Sequence, residues 1–270
     1  MHHFFDAILL GGIQGLTEFL PISSSGHLLL LHHFLHYEPD HALTFDVALH
    51  VGTLLALVVY FWRDIGKLVK DFFASFRAHP RTPEQRLPWL ILLSAIPAAI
   101  FGGFLDTFFE SLRSPWIVVV TFVLVGCVFL FVERIGKQTK GMTDIRWTTA
   151  LTIGIAQVLA LVPGVSRSGI TISAGMAAGM RREHAARYTF LLSIPVVAGA
   201  AAVKLLDLRH GGVSTDERGA IITGIITAAI VGFAVIHFLL RFLVNHRLTV
   251  FAYYRFLVAG AAILGIVLRT

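Results

Sequence analysis

The strongest constraint on this chain is its series of apolar runs, many of which reach the roughly 20 residues needed to cross a bilayer. Only 14% of its 270 residues are charged, and those are bunched between the runs. Soluble domains carry about a quarter charged residues. A soluble fold of this length could not hide so much apolar surface in one core. The chain therefore reads as an all-α polytopic membrane protein forming one membrane domain over residues 1–270.

Six stretches read as plain spanning helices, about 44–62, 88–106, 115–132, 188–206, 219–240 and 250–268. Two more, about 4–35 and 147–180, are interrupted by Pro21-Ile-Ser-Ser-Ser-Gly-His27 and Pro163-Gly-Val-Ser-Arg-Ser-Gly169. Non-helical backbone survives at membrane depth only where protein or a cavity surrounds it. Both segments are therefore expected to be re-entrant helical hairpins with polar tips.

The two interrupted segments resemble each other. A constant offset of 143 matches Gln14 to Gln157, Leu16 to Leu159, Ser23 to Ser166, Ser25 to Ser168 and Gly26 to Gly169. Thr44-Phe45 and Thr189-Phe190 then open spanning segments after each. Interrupted segments in corresponding positions of two halves point to a site at the repeat interface. The expected halves are about 1–130 and 131–270, arranged as inverted repeats whose hairpin tips meet inside the membrane.

The basic residues set the orientation. With six spans and two hairpins, the loops 63–87, 133–147, 181–187 and 241–247 share one side and hold 15 of the 22 Lys and Arg. The other side has only Arg113, Arg209, Arg218 and Arg269. The positive-inside rule puts the basic loops in the cytoplasm and both termini outside. It also accounts for the net charge of +6 without nucleic acid as a partner. The single cysteine, Cys127, lies in an apolar run and reads as a small apolar side chain.

At membrane depth the chemistry rests on Glu18, His27 and Arg167, with Ser23, Ser24, Ser25, Ser166, Ser168 and Thr171. An intramembrane ionisable group is a functional hypothesis by default, weighed against a structural Glu18–Arg167 ion pair pinning the hairpins. The set suits phosphate. Arg167 offers a planar fork, and Ser and Gly at a helix start add hydroxyls and backbone N–H groups. Ser24 or Ser25 is a candidate nucleophile, with His27 three residues beyond Ser24 as its base. Glu18 either orients that histidine or holds a divalent cation shared with substrate phosphates, Asp46 being the next carboxylate. Lys204 is expected to snorkel to an interface and Arg255 to pair inside the protein. His32 and His36 have the spacing of a helical metal pair, but no third ligand at matching spacing accompanies them.

These residues resemble the bacterial undecaprenyl-diphosphatases of the bacitracin-resistance type. The first family motif, Glu or Gln, three residues, then Glu, stands here as Gln14-Gly-Leu-Thr-Glu18 and runs on to His27. The second, Pro-Gly-x-Ser-Arg-Ser-Gly-x-Thr, stands as Pro163 to Thr171, and the likeness extends to Tyr254-Arg255-Phe256. The resemblance implies hydrolysis of undecaprenyl diphosphate to the monophosphate and phosphate, recycling a cell-wall lipid carrier. It also implies a Mg2+ or Ca2+ requirement and a site open to the periplasm of the bacterial inner membrane. It maps Glu18 to the essential motif glutamate, Ser24 and His27 to the catalytic serine and histidine with either as the nucleophile, and Arg167 to the phosphate-binding arginine. Many members have Glu where this chain has Gln14, which leaves a carbonyl as the metal ligand in place of a carboxylate. The expected partners are the polyprenyl diphosphate, membrane lipids and a second copy of the chain.

Two other readings fit parts of the pattern. Inverted repeats with broken helices also build transporters, so a lipid or anion flippase is the alternative; the Glu18, Ser24 and His27 set argues for hydrolysis instead. The type-2 phosphatidic acid phosphatases need a His six residues after their Arg, where this chain has Ser173.

Overall fold

The computed structural model describes residues 2–35, 42–77, 82–207 and 215–269. His36 and His41 lie outside the described residues, as do the side chains of Thr44, Asp46 and Lys204. In chain order the helices are α1 (His2–Phe19), α2 (Ser24–Leu35), α3 (Ala42–Tyr60), α4 (Trp62–Ser75), α5 (Pro83–Phe104) and α6 (Asp106–Ser111). They continue with α7 (Pro115–Ile135), α8 (Trp147–Val158), α9 (Arg167–Ala177), α10 (Arg182–Asp207), α11 (Thr215–Asn245) and α12 (Thr249–Val267). The helix starts follow local chemistry: Pro115 opens α7, and the Thr82 side chain caps α5 by accepting from Gln85 N at 3.3 Å.

Five helices, α5, α7, α10, α11 and α12, contain spans long and apolar enough to cross a membrane. The sixth expected span is α3. It covers most of the expected 44–62 and turns by 76° at Phe61 into α4. The stretch 63–87, read from the sequence as a basic loop, is largely this helix. Arg63, Lys67 and Lys70 alternate along α4 with exposed Trp62, Val69 and Phe73, a pattern suited to lying at the interface.

Each interrupted segment forms two helices joined at a break, α1 to α2 and α8 to α9. Helix α1 packs along α11 and α3, α8 packs along α5, and the pairs α3–α10 and α7–α12 complete the bundle. Two glycines 143 apart make the first two approaches close. A Cβ at Gly11 would lie 2.6 Å from Gly224 O, and one at Gly154 would lie 2.7 Å from Ser94 O. Any side chain there would push the helices apart.

The basic segments gather at one end. Arg182 Nε and Leu248 N both donate to Glu133, at 2.8 and 2.7 Å, and Arg187 pairs with Asp64 at 2.6 Å. Lys140 Nζ donates to Ala178 O at 2.6 Å. At the far ends of α5 and α7 lie Leu105–Ser114 and the short α6. The outer belt is apolar, with Phe104 85% and Leu257 71% exposed, as a lipid-facing surface requires. Cys127 is exposed on α7.

Candidate active site

The two polar tips share one backbone solution. Ser23 (φ 78°) and Ser166 (φ 69°), 143 residues apart, both occupy the left-handed region just before a helix. Each hydroxyl accepts from the backbone N three residues on, Gly26 N at 3.3 Å and Gly169 N at 3.2 Å. Each also meets the hydroxyl two residues on, Ser25 and Ser168, at 3.2 Å. A non-glycine residue held there costs about 1–3 kcal/mol, so the surrounding packing must over-determine it. Both glycines allow it: a Cβ at Gly26 would strike Phe122 at 2.5 Å, and one at Gly169 would strike Phe129 at 2.7 Å.

The tips touch. Ser168 Oγ donates to Leu20 O at 3.1 Å and Gly164 N donates to Ser25 Oγ at 3.4 Å. Arg167, the first residue of α9, reaches across to Glu18 on α1 and contacts Oε1 through Nη2. The other carboxylate oxygen, Oε2, accepts from Ser24 Oγ at 2.7 Å and Gln14 Nε2 at 3.1 Å. His50 Nε2, from α3, lies 3.9 Å from Oε2. Four elements thus converge on one buried carboxylate. The expected ion pair is present, and it sits at the site rather than apart from it.

A cavity of about 380 Å³ adjoins this cluster. Glu18, Ser23, Ser24, Ser25, Ser166 and Arg167 line its polar end. Leu28, Leu29, Ala98, Val196 and Val197 line an apolar wall, and Phe109, Glu110 and Arg113 are among its lining from the α6 side. The helices α2 and α9 both start at the tips, so two positive dipole ends converge there.

Several residues singled out in the sequence are placed differently from expectation. His27 does not reach Ser24. Its Nδ1 bonds Ser23 O at 2.7 Å, its Nε2 bonds Tyr254 OH at 2.8 Å, and its ring stacks on Tyr254. It is not among the cavity-lining residues. The physical reason is that Glu18 turns the Ser24 hydroxyl toward α1, while the His27 ring is held on the α7 and α12 side. Thr171 is fully buried, bonding Arg167 O at 2.7 Å and accepting from Thr189 Oγ1 at 3.0 Å. With Ser168 it braces the second tip instead of lining the cavity.

Arg255 does pair inside the protein, though with carbonyls and no carboxylate. Its guanidinium bonds Phe122 O (3.2 Å), Thr121 O (3.1 Å) and Gly164 O (2.7 Å), and stacks over the Phe122 ring at 4.5 Å. It clips the second tip to α7, where Thr121 Oγ1 also donates to Pro163 O at 3.0 Å. Gly164, at φ 89°, is required: a Cβ would lie 2.1 Å from Thr121 Oγ1.

Sequence reasoning missed His50, Glu110 and Arg113 as cavity residues. His50 had a usable signal, as an ionisable residue within an apolar span. Glu110 and Arg113 had none, since short polar connections look alike in sequence.

A divalent cation can be tested against the donors present. Among the described residues no three His, Cys, Asp or Glu side chains gather for a metal cage. Beside Glu18, however, Gln14 is fully buried and its Oε1 has no hydrogen-bond partner. One carboxylate plus one carbonyl suits a cation that takes its remaining ligands from phosphate and water.

Comparison with known proteins gives the family. A family model described as bacitracin resistance protein BacA matches residues 7–261. The chain is 44% identical over 264 residues to an undecaprenyl-diphosphatase of Rubrobacter xylanophilus, covering 96% of this chain and 97% of that one. It is 46% identical over 256 residues to an undecaprenyl-diphosphatase of Moorella thermoacetica, covering 94% and 95%. A third of that name, from Pelobacter propionicus, is 44% identical over 265 residues, covering 97% and 96%.

Proposed function

This chain belongs to the bacitracin resistance protein BacA family, and from that membership together with the site we infer that it hydrolyses undecaprenyl diphosphate to undecaprenyl phosphate and inorganic phosphate. The observation that carries the chemistry is the 2.7 Å hydrogen bond from Ser24 Oγ to Glu18 Oε2, beside Arg167 in one cavity. A carrier that only moved lipid does not require a hydroxyl resting on a carboxylate, whereas hydrolysis does.

Ser24 is the nucleophile and Glu18 its base. Glu18 Oε2 takes the hydroxyl proton as Oγ attacks the terminal phosphorus. The anhydride P–O bond breaks, and undecaprenyl phosphate leaves with its electron pair. The protonated Glu18 gives that proton to the departing phosphate oxygen. Water then attacks the phosphoserine with Glu18 accepting its proton, and Glu18 returns this proton to Ser24 Oγ as inorganic phosphate leaves. Arg167 carries five N–H donors; the Nη2 contact with Glu18 leaves others for the equatorial phosphate oxygens. Placed at the start of α9 with α2 opening opposite, it supplies fixed positive charge where the transition state is anionic. Both ring nitrogens of His27 are engaged, so its part is to hold the first tip through Ser23 O and Tyr254. The hydroxyls of Ser23, Ser25 and Ser166 line the cavity within reach of phosphate, and the apolar wall suits the prenyl chain.

The divalent cation, Mg2+ or Ca2+, belongs to this proposal. Gln14 Oε1 and Glu18 Oε1 would hold it, leaving Oε2 free to act as the base, and bound there it would neutralise charge on the leaving phosphate.

The protein is a multi-pass bacterial membrane protein, and the proposal sets its cavity toward the periplasm with both termini on that side. In support, the lining residues Glu110 and Arg113 lie at the ends of α5 and α7 opposite the basic segments. Inverted repeats are supported by the matching Ser23 and Ser166 tips and by the reciprocal contacts of α1 with α11 and α8 with α5. Lipid acyl chains cover the apolar belt, and a second copy of the chain would meet the same surface.

The step through Ser24 is tested by acid-quenching the enzyme during turnover of diphosphate labelled at its terminal phosphorus. Label recovered as phosphoserine on the peptide holding Ser24 is the expected result. Active enzyme that never carries label under a rapid acid quench would remove Ser24 as the attacking group, and label surviving only an alkaline quench would assign the attack to a histidine.

A further inference from the structure

Gln157 is the repeat counterpart of Gln14, but its surroundings differ. Gln14 gives its amide N to Glu18 four residues on. The residue four beyond Gln157 is Leu161, so the second hairpin has no such carboxylate. Gln157 on α8 is nevertheless only 2% exposed, and both amide atoms, Nε2 and Oε1, are buried without a hydrogen-bond partner. Leaving a donor and an acceptor unsatisfied at membrane depth is costly, and an apolar side chain of the same size would avoid it. Gln157 is also one of the cavity-lining residues, together with Ser166 and Arg167, with its amide atoms closed off beneath that lining, so that a ligand meets them once the side chain turns outward.

We propose that Gln157 is a substrate-binding residue whose amide grips the diphosphate, with Nε2 donating to a non-bridging phosphate oxygen. Oε1 accepts from a water bound to the same phosphate, which satisfies both orphaned atoms at once. An amide fits this place better than a second cation. Diphosphate must be held firmly, yet inorganic phosphate must also leave, and a neutral donor adds direction without adding charge. The assignment rests on the phosphatase reading for the identity of the ligand. It concerns a residue that the motif chemistry of Glu18, Ser24 and Arg167 does not use.

The test compares wild type with Gln157→Leu, Gln157→Met and Gln157→Glu in detergent. Three quantities are read: KM and kcat for the polyprenyl diphosphate, the melting temperature, and the melting-temperature rise caused by inorganic pyrophosphate. Gln157→Leu is expected to raise KM about ten- to hundredfold, as loss of a hydrogen bond to a charged group does. Its melting temperature should match or exceed wild type, with the pyrophosphate-induced rise lost. Gln157→Glu should bind pyrophosphate more weakly still, because it sets a negative charge against the phosphate. If Leu fails to fold, Met serves in its place. Wild-type KM and an undiminished pyrophosphate rise in a folded Leu or Met variant would overturn the assignment and leave the phosphatase reading intact. An inactive wild type would sink the phosphatase reading, while the pyrophosphate rise would still decide the role of Gln157.

Discussion

Arg255 carries its charge fully buried in the middle of the protein and answers it with backbone carbonyls and the Phe122 face. Its donors reach two carbonyls of α7 and one of the second tip, tying the two together. Arg255→Met keeps the length and removes the donors, so it should destabilise the protein by about 2–4 kcal/mol. Thermal unfolding in detergent reads this as a clear drop in melting temperature; an unchanged value would contradict the clip. At this scale Glu18, Ser24 and Arg167 were legible because charge and hydroxyls are expensive in lipid and stand out against apolar sequence. What could not be read was pairing. Spacing along α2 suggested His27 as the base for Ser24, whereas a contact six residues back, Glu18, takes that hydroxyl. His50 stood out as an ionisable residue in an apolar span, but its approach to Glu18 on another helix could not be read from spacing.

The hairpins were legible as elements because polar tips break apolar runs at a constant offset, and the structure repeats the same serine conformation at both. The close glycine contacts at Gly11 and Gly154 share that offset and could have been added to the match. Helix α4 was not legible, since an interfacial helix has too few apolar residues to register as a span. The bend at Phe61 arises from packing, with Phe61 fully buried against the core, and no Pro or Gly marks it. The inverted arrangement makes a prediction here. In a Cys127→Ser background, a cysteine at Glu110 should react with a membrane-impermeant thiol reagent from the periplasmic side, and one at Lys137 only from the cytoplasmic side. Labelling of both from one side would rule out the proposed orientation.

For the whole molecule, hydropathy and charge bunching settle that the chain spans a membrane, and the Lys and Arg count agrees with the ion-paired end built around Glu133 and Asp64. The cavity could not be read, because its walls come from helices far apart in sequence. Glu18 and Ser24 from one tip and Ser166 and Arg167 from the other surround it, with α10 closing the apolar side. Neither half supplies both the hydroxyl–carboxylate couple and the guanidinium. A phosphatase made this way should fail when either tip is altered. The measurement that tests this most directly is phosphate release from undecaprenyl diphosphate in detergent with Mg2+, comparing wild type with Ser24→Ala and Arg167→Ala, each checked for an intact melting transition. Wild type should release phosphate, and each variant should fall by at least about 10³-fold. Wild-type turnover by either folded variant would contradict a single site shared by the two tips.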